Sequence, residues 1–363
     1  MKPKERNNLI YINLMEMKKI AVSRKNCFTP CEEALFSIVS AKEHSYREIL
    51  LCIIAHMQIF PDMKASIAWY SFHPRGLYDS GPVKKFLQEQ NIPHTKSGPL
   101  NISKAANIDK VWADNRSSPE IANLVLNVVS YLENNNSFKS VQDVGVSLIK
   151  KMLADAVRIE NLTLHIKPSC DPDYLTDICI QLIRNAPDAG NTPHKIVAFL
   201  LKNYHTSVQS AVNITGINDR ASVTSTTSKK PGDINEERYG QILKVYEITV
   251  KPFDFDRILD SYDCLCTFNQ KTESPIHEVI VICRPEDCPS QMEISGFATY
   301  FGKIIYRDVV YYFWNIYEWI SSMLQQMPSD GKELFSLELS GYVSEVNTSE
   351  SVKLEWRRIH SLN

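Results

Sequence analysis

Between residues 244 and 283 the hydrophobic period changes twice, and this leaves few folds open to the chain. Residues 244–251 alternate, with Val245, Glu247, Thr249 and Lys251 on one face of a strand and Tyr246, Ile248 and Val250 on the other, apolar face. Asp254 is then placed to cap a helix running through Arg257, Ile258, Tyr262, Leu265 and Phe268, and residues 277–283 form an almost unbroken apolar run of the buried-strand kind. Strand, helix, strand in that order closes as a crossover between parallel strands, which is right-handed. Another strand starting at Asp233, with a turn region containing Gly240, and a helix over 192–204 extend the order to helix, two or three strands, helix, strand. The fold class expected is α/β (α+β), a mixed central sheet flanked by helices.

The rest of the chain reads differently. Apolar residues recur at three- and four-residue spacing over 32–39, 46–60, 83–90, 120–133, 144–157, 172–183 and 192–204, the last opened by Thr192-Pro193 as N-cap and first helical position. After Ser210, glycine, asparagine, serine and threonine crowd in up to Lys230, and short β-rich runs begin. The expected division is therefore a mainly helical region, 1–212, and a sheet-containing region, 213–363. Downstream, 309–313 reads as a strand and 314–327 as a helix covering the sheet. The aromatic row Tyr306, Tyr311, Tyr312, Phe313, Trp314, Tyr317 and Trp319 is read as core packing.

Composition bounds the function. The 363 residues are 44% apolar, enough for one large core or two modest ones. Nine cysteines match neither paired metal-site spacing nor a dense disulfide framework, and are read as reduced thiols of a cytoplasmic protein. The longest apolar run, 49–55, is too short to span a bilayer, and the N-terminus lacks a signal-peptide pattern, so no membrane partner is expected. A net charge of -2 means that any nucleic-acid surface must concentrate its positive charge locally.

Two stretches offer such charge. Residues 73–116 carry seven Lys and Arg against four Asp and Glu, with Lys96 in a polar Gly/Pro loop. Residues 218–230 combine Arg220, Ser222, Thr226, Lys229 and Lys230; the hydroxyls and lysines suit phosphate, and Arg220 or Asn218 can reach a base edge. An ordinary solvated face and a polar linker are the competing readings of these stretches. Immediately downstream, a hairpin would bring Asp233 and Glu247 together to hold Mg²⁺, a hard cation that takes oxygen ligands and keeps several waters. Hydrolysis of a phosphodiester needs a water activated as nucleophile, charge neutralised at phosphorus and help for the departing oxygen, and divalent ions supply most of this. His73, His94, His194 and His205 form no metal-ligand spacing.

Pro231-Gly232-Asp233, thirteen intervening residues and Glu247-Ile248-Thr249-Val250-Lys251 resemble the PD-(D/E)xK nuclease signature, over about 215–290. Type II restriction endonucleases are that family's best-known members. The resemblance implies a catalytic domain over 213–363, with Asp233 and Glu247 as metal ligands and Lys251 polarising the water or the scissile phosphate. Region 1–212 would then supply DNA readout and dimer contacts. The departure is Thr249, which stands where the family pattern has lysine. Either Lys251 reaches back about 6 to 7 Å along the strand, or Thr249 orients a water. The expected function is sequence-specific, Mg²⁺-dependent cleavage of double-stranded DNA by a homodimer. A repair nuclease, and a non-catalytic DNA-binding or regulatory protein of similar fold, are the alternatives.

Overall fold

A helix with no face turned to solvent lies at the centre of a core. In the computed structural model of the chain, which describes residues 1–24, 29–96, 107–219, 230–292 and 298–361, that is the place of Ser45–Met57, all thirteen residues of which are buried. The chain divides into two units, Met1–Asn161 and Leu162–Asn363.

The first unit is helical. Its longer helices are α1 (Pro3–Ser23), α2 (Glu32–Ser40), α3 (Ser45–Met57), α4 (Pro82–Glu89), α5 (Pro119–Asn134) and α6 (Phe138–Glu160). Sequence reading passed over α1, although Pro3 opens it and Ile10, Leu14, Met17 and Ala21 give it a narrow buried stripe at helical spacing. Two charged residues of α3 are fully buried. Arg47 donates from Nη1 to the Val39 carbonyl (3.2 Å) and to Asp155 (2.7 Å), and from Nη2 to the Pro93 carbonyl (2.7 Å). Glu48 accepts from the backbone N–H of Thr95 (2.6 Å) and from its hydroxyl. Together they strap residues 92–96, the start of the loop expected around Lys96, onto the central helix.

The second unit opens with α7 (Pro172–Asn185) and α8 (Asn191–Ser207) and continues into strands β1 (Asn213–Thr215), β2 (Ile234–Arg238) and β3 (Gln241–Thr249). Helix α9 (Phe255–Asn269) leads to β4 (Glu278–Cys283), followed by β5 (Tyr300–Tyr306), β6 (Val309–Asn315), α10 (Ile316–Gln326), α11 (Ser329–Ser344) and α12 (Glu350–Ser361). The strands form one mixed sheet in the order β1-β2-β3-β4-β6-β5. The pairs β3–β4 and β4–β6 are parallel, and β1–β2, β2–β3 and β5–β6 are antiparallel. The α+β class with a mixed sheet is thus as expected.

The division falls earlier than the expected 212/213. Helices α7 and α8 bury Leu175, Ile178, Leu182, Ile196 and Leu200 in one core with Tyr246, Ile248 and Ile282 of the sheet, so they belong to the second unit. The opposite face of the sheet packs Val245, Val279, Val281, Tyr311 and Phe313 against Phe253, Ile258, Tyr262 and Leu265 of α9 and the turn before it. Of the aromatic row, Tyr311, Phe313 and Tyr317 are buried in these cores and Tyr306 and Trp319 pack partly against them, whereas Tyr312 and Trp314 are half-buried and in neither. Strand β6 extends to Asn315, whose side chain caps α10, so the helix starts two residues later than the spacing predicts. The described cysteines are free thiols, and no helix among the described residues is long and apolar enough to cross a membrane.

Candidate metal centre

The register of the β2–β3 hairpin decides what faces what. Ile234 pairs with Tyr246, and just outside that pair the backbone N–H of Asp233 donates to the Tyr246 carbonyl (2.9 Å). One step along each strand, Asp233 therefore stands across from Glu247 on the face that packs against α9, where opposed side chains are nearest neighbours. Two glycines allow this approach. A β-carbon on Gly232 would lie 2.4 Å from a Val245 methyl carbon, and one on Gly216, whose φ is +95°, would lie 2.1 Å from the Asp233 carbonyl oxygen.

The two carboxyl groups are close enough to share a proton, and burial raises the proton affinity of both. For Asp233 that rise is opposed by the nearby His194 imidazole, by the Ile248 N–H, which donates to Oδ2 at 3.0 Å, and by the charge of Arg257. For Glu247 the neighbouring Asp233 charge adds to burial, and Arg257 and the Ser261 hydroxyl, 3.4 Å from Oε1, only partly offset it. The pair thus holds a proton well above the usual carboxylate range. Glu247 is buried, whereas Asp233 keeps part of its surface open. Among the described residues no cluster of three or more His, Cys, Asp or Glu forms a metal cage. Two oxygen donors without a further His, Cys, Asp or Glu among the described residues suit an ion that retains most of its water shell, as Mg²⁺ does, and do not suit four-coordinate zinc.

A pH-dependent stability follows. Glu247 binds its proton more tightly folded than unfolded, so its contribution is fully present below the unfolded carboxylate pKa, near 4.3, and is lost as pH rises through the folded value. Metal-free Glu247→Gln should therefore melt higher than the parent chain at pH 8, by about 3 °C for each kcal/mol relieved. The two curves should converge at pH 4. Equal melting temperatures at pH 8 would mean that the pair is not protonated as described.

The remaining expected site residues are placed less centrally. Strand β3 ends at Thr249, and Lys251 lies beyond it in a bend, exposed, so the alternation that put Lys251 on the Glu247 face stops short of it. The Thr249 hydroxyl causes the bend, accepting from the Lys251 N–H (3.0 Å) and donating to the Lys251 carbonyl (2.8 Å). Lys230 pairs with Asp219 (2.5 Å) on the segment leading into β2, and Asn218 is exposed. Lys96 is exposed in the first unit, its carbonyl accepting from Lys84 Nζ (2.7 Å). Arg220, Ser222, Thr226 and Lys229 lie outside the described residues.

Three neighbours of the carboxylates had been given no part in the site. His194, set aside for want of a metal-ligand spacing, sits in the first turn of α8. Its Nε2 is 3.0 Å from the Gly216 carbonyl, and its Nδ1 is buried with no hydrogen-bond partner among the described residues. Arg257 and Ser261 are the other two. They lie four residues apart on α9, in line with Leu265, and this polar end of a helical stripe was the signal available in the sequence. Compared with models of protein families and with curated proteins, the chain matches none.

Proposed function

We propose that the chain is a Mg²⁺-dependent endonuclease of double-stranded DNA, of the type II restriction class. The observation that carries this reading is the pairing of Asp233 and Glu247 across the β2–β3 hairpin. Further support comes from the order of elements around the pair, α8, β1, β2, β3, α9, β4, with β3 parallel to β4, which is the helix, strands, helix, strand succession that accompanies the motif.

In this reading Asp233 and Glu247 would hold the ion through their oxygens, which they could do only after giving up the proton they share. The chemistry that such an ion would supply is an activated water and neutralised charge at phosphorus. The water oxygen bonds to phosphorus, the P–O3′ bond breaks, the water's proton leaves to solvent, and the departing oxygen takes one from solvent. Ser261 holds Glu247 in place, and Gly232 and Gly216 keep the backbone near enough for Asp233 to face it. A palindromic target would be read by a symmetric dimer, with one site per strand.

The test is incubation of the protein with unmethylated phage DNA, with and without Mg²⁺. Discrete fragments formed only with Mg²⁺ are expected, and intact DNA over a range of Mg²⁺ and Mn²⁺ concentrations would overturn the reading. A non-catalytic DNA-binding protein is the second reading, favoured by threonine at position 249 in place of lysine. It would bind duplex and divalent ion without cutting.

A further inference from the structure

We infer that Arg257, held in place by Thr249, is the cation that contacts the scissile phosphate, and that Lys251 is not. The inference rests on the nuclease reading above and fills the role left vacant by threonine at position 249.

The argument begins with what the Thr249 hydroxyl has left to give. A hydroxyl offers one proton and two lone pairs. The proton goes to the Lys251 carbonyl, and the lone pairs accept from the Lys251 N–H and from Arg257 Nη1 (2.5 Å). With all three positions committed, and the residue 3% exposed, Thr249 has no free capacity to orient a water. It acts instead as a two-way anchor. One pair of bonds turns the chain so that Lys251 leaves the strand, and the third fixes a guanidinium on the face that Thr249 shares with Glu247.

Arg257 is positioned from its other side as well. Asp254 caps α9 by accepting from the Arg257 N–H (3.1 Å), which sets the helix start, and the guanidinium carbon lies 5.1 Å from the centre of the Phe253 ring. Its charge reaches both Asp233 and Glu247. Among the described residues its side chain spends one of five N–H groups, on Thr249, so the remaining donors are available to an anion. A planar, permanently charged fork beside two metal-binding carboxylates matches the non-bridging oxygens of a phosphodiester. Arg257 takes no proton in the step. It binds the charge that develops as the P–O3′ bond breaks.

The test compares Arg257→Ala, Arg257→Lys, Thr249→Val and Lys251→Ala in the full chain, by kcat and KM for Mg²⁺-dependent duplex cleavage and by the Mg²⁺-induced rise in melting temperature without DNA. Arg257→Ala should lower kcat at least about a hundredfold with KM within threefold, while keeping the Mg²⁺-induced rise in melting temperature. Arg257→Lys should recover part of the rate, and Thr249→Val should lose less than Arg257→Ala. Lys251→Ala should stay within threefold of the parent chain. Cleavage by Arg257→Ala within threefold of the parent, or a hundredfold loss in Lys251→Ala, overturns the inference and leaves the nuclease reading standing. No cleavage by the parent chain with any divalent ion overturns the nuclease reading, and the inference with it.

Discussion

Asp233→Asn should cut DNA at less than about a thousandth of the parent rate, the upper end of what is lost when a group aimed at developing charge is removed. Asparagine isolates the charge from the fold. Its side-chain oxygen can go on accepting the Ile248 N–H, so the β2–β3 hairpin stays closed, while one of the two anionic ligands is gone. Glu247→Gln should match it in rate and differ in consequence, because glutamine's NH₂ can donate to Asp233 where the shared proton stood. Duplex affinity should persist in both variants, since phosphate contacts by lysine and arginine dominate it and neither carboxylate makes one. Nicking of supercoiled DNA measures the rate, and fluorescence anisotropy in Ca²⁺ measures the affinity. A rate within tenfold of the parent for either variant removes that carboxylate from the metal centre.

Arg47→Met should destabilise the first unit by about 3 to 5 kcal/mol, the usual result of breaking a buried ion pair from one side. Arg47 is wholly enclosed, and Asp155, its partner, is nearly so. Methionine fills much of the aliphatic volume but leaves the Val39 and Pro93 carbonyls without their donor and Asp155 with Arg158 as its remaining cation. The melting temperature should fall on the order of 10 °C. A fall under 2 °C would show that solvent reaches the site and that the pair is not enclosed.

The parts legible in the sequence were those in which periodicity reflects burial on one side. The strand at Val245–Thr249, the capped helix after Asp254 and the apolar strand ending at Cys283 each show one dominant period, and the first of them carries Glu247. Strand β5 was missed because its residues are mostly half-exposed or exposed at an edge of the sheet, which leaves no apolar alternation. The division between units was misplaced because α7 and α8 look, one helix at a time, like the helices before them. Which core a helix joins is decided by long-range packing on the sheet. Lys251 was assigned by extending a strand two residues too far. The stop comes from Thr249 turning its hydroxyl back on the backbone, a local bond that competes with the ladder and leaves no mark in the hydrophobic pattern. Arg257 was overlooked as a site residue for a related reason, since its role depends on the tertiary contact between α9 and the end of β3.

Strand β3 is bonded on both edges, to β2 and to β4, and each of its faces lies in a separate apolar core. Backbone opening at such a strand requires both cores to come apart, so its amides should exchange with solvent on the timescale of unfolding of the whole second unit. Glu247 rides on this strand, and Asp233 is tied to it by two hydrogen bonds. The carboxylate spacing therefore has no low-energy fluctuation of its own. If the pair is the metal centre proposed, loss of cleavage on heating should coincide with the unfolding of the second unit and not precede it.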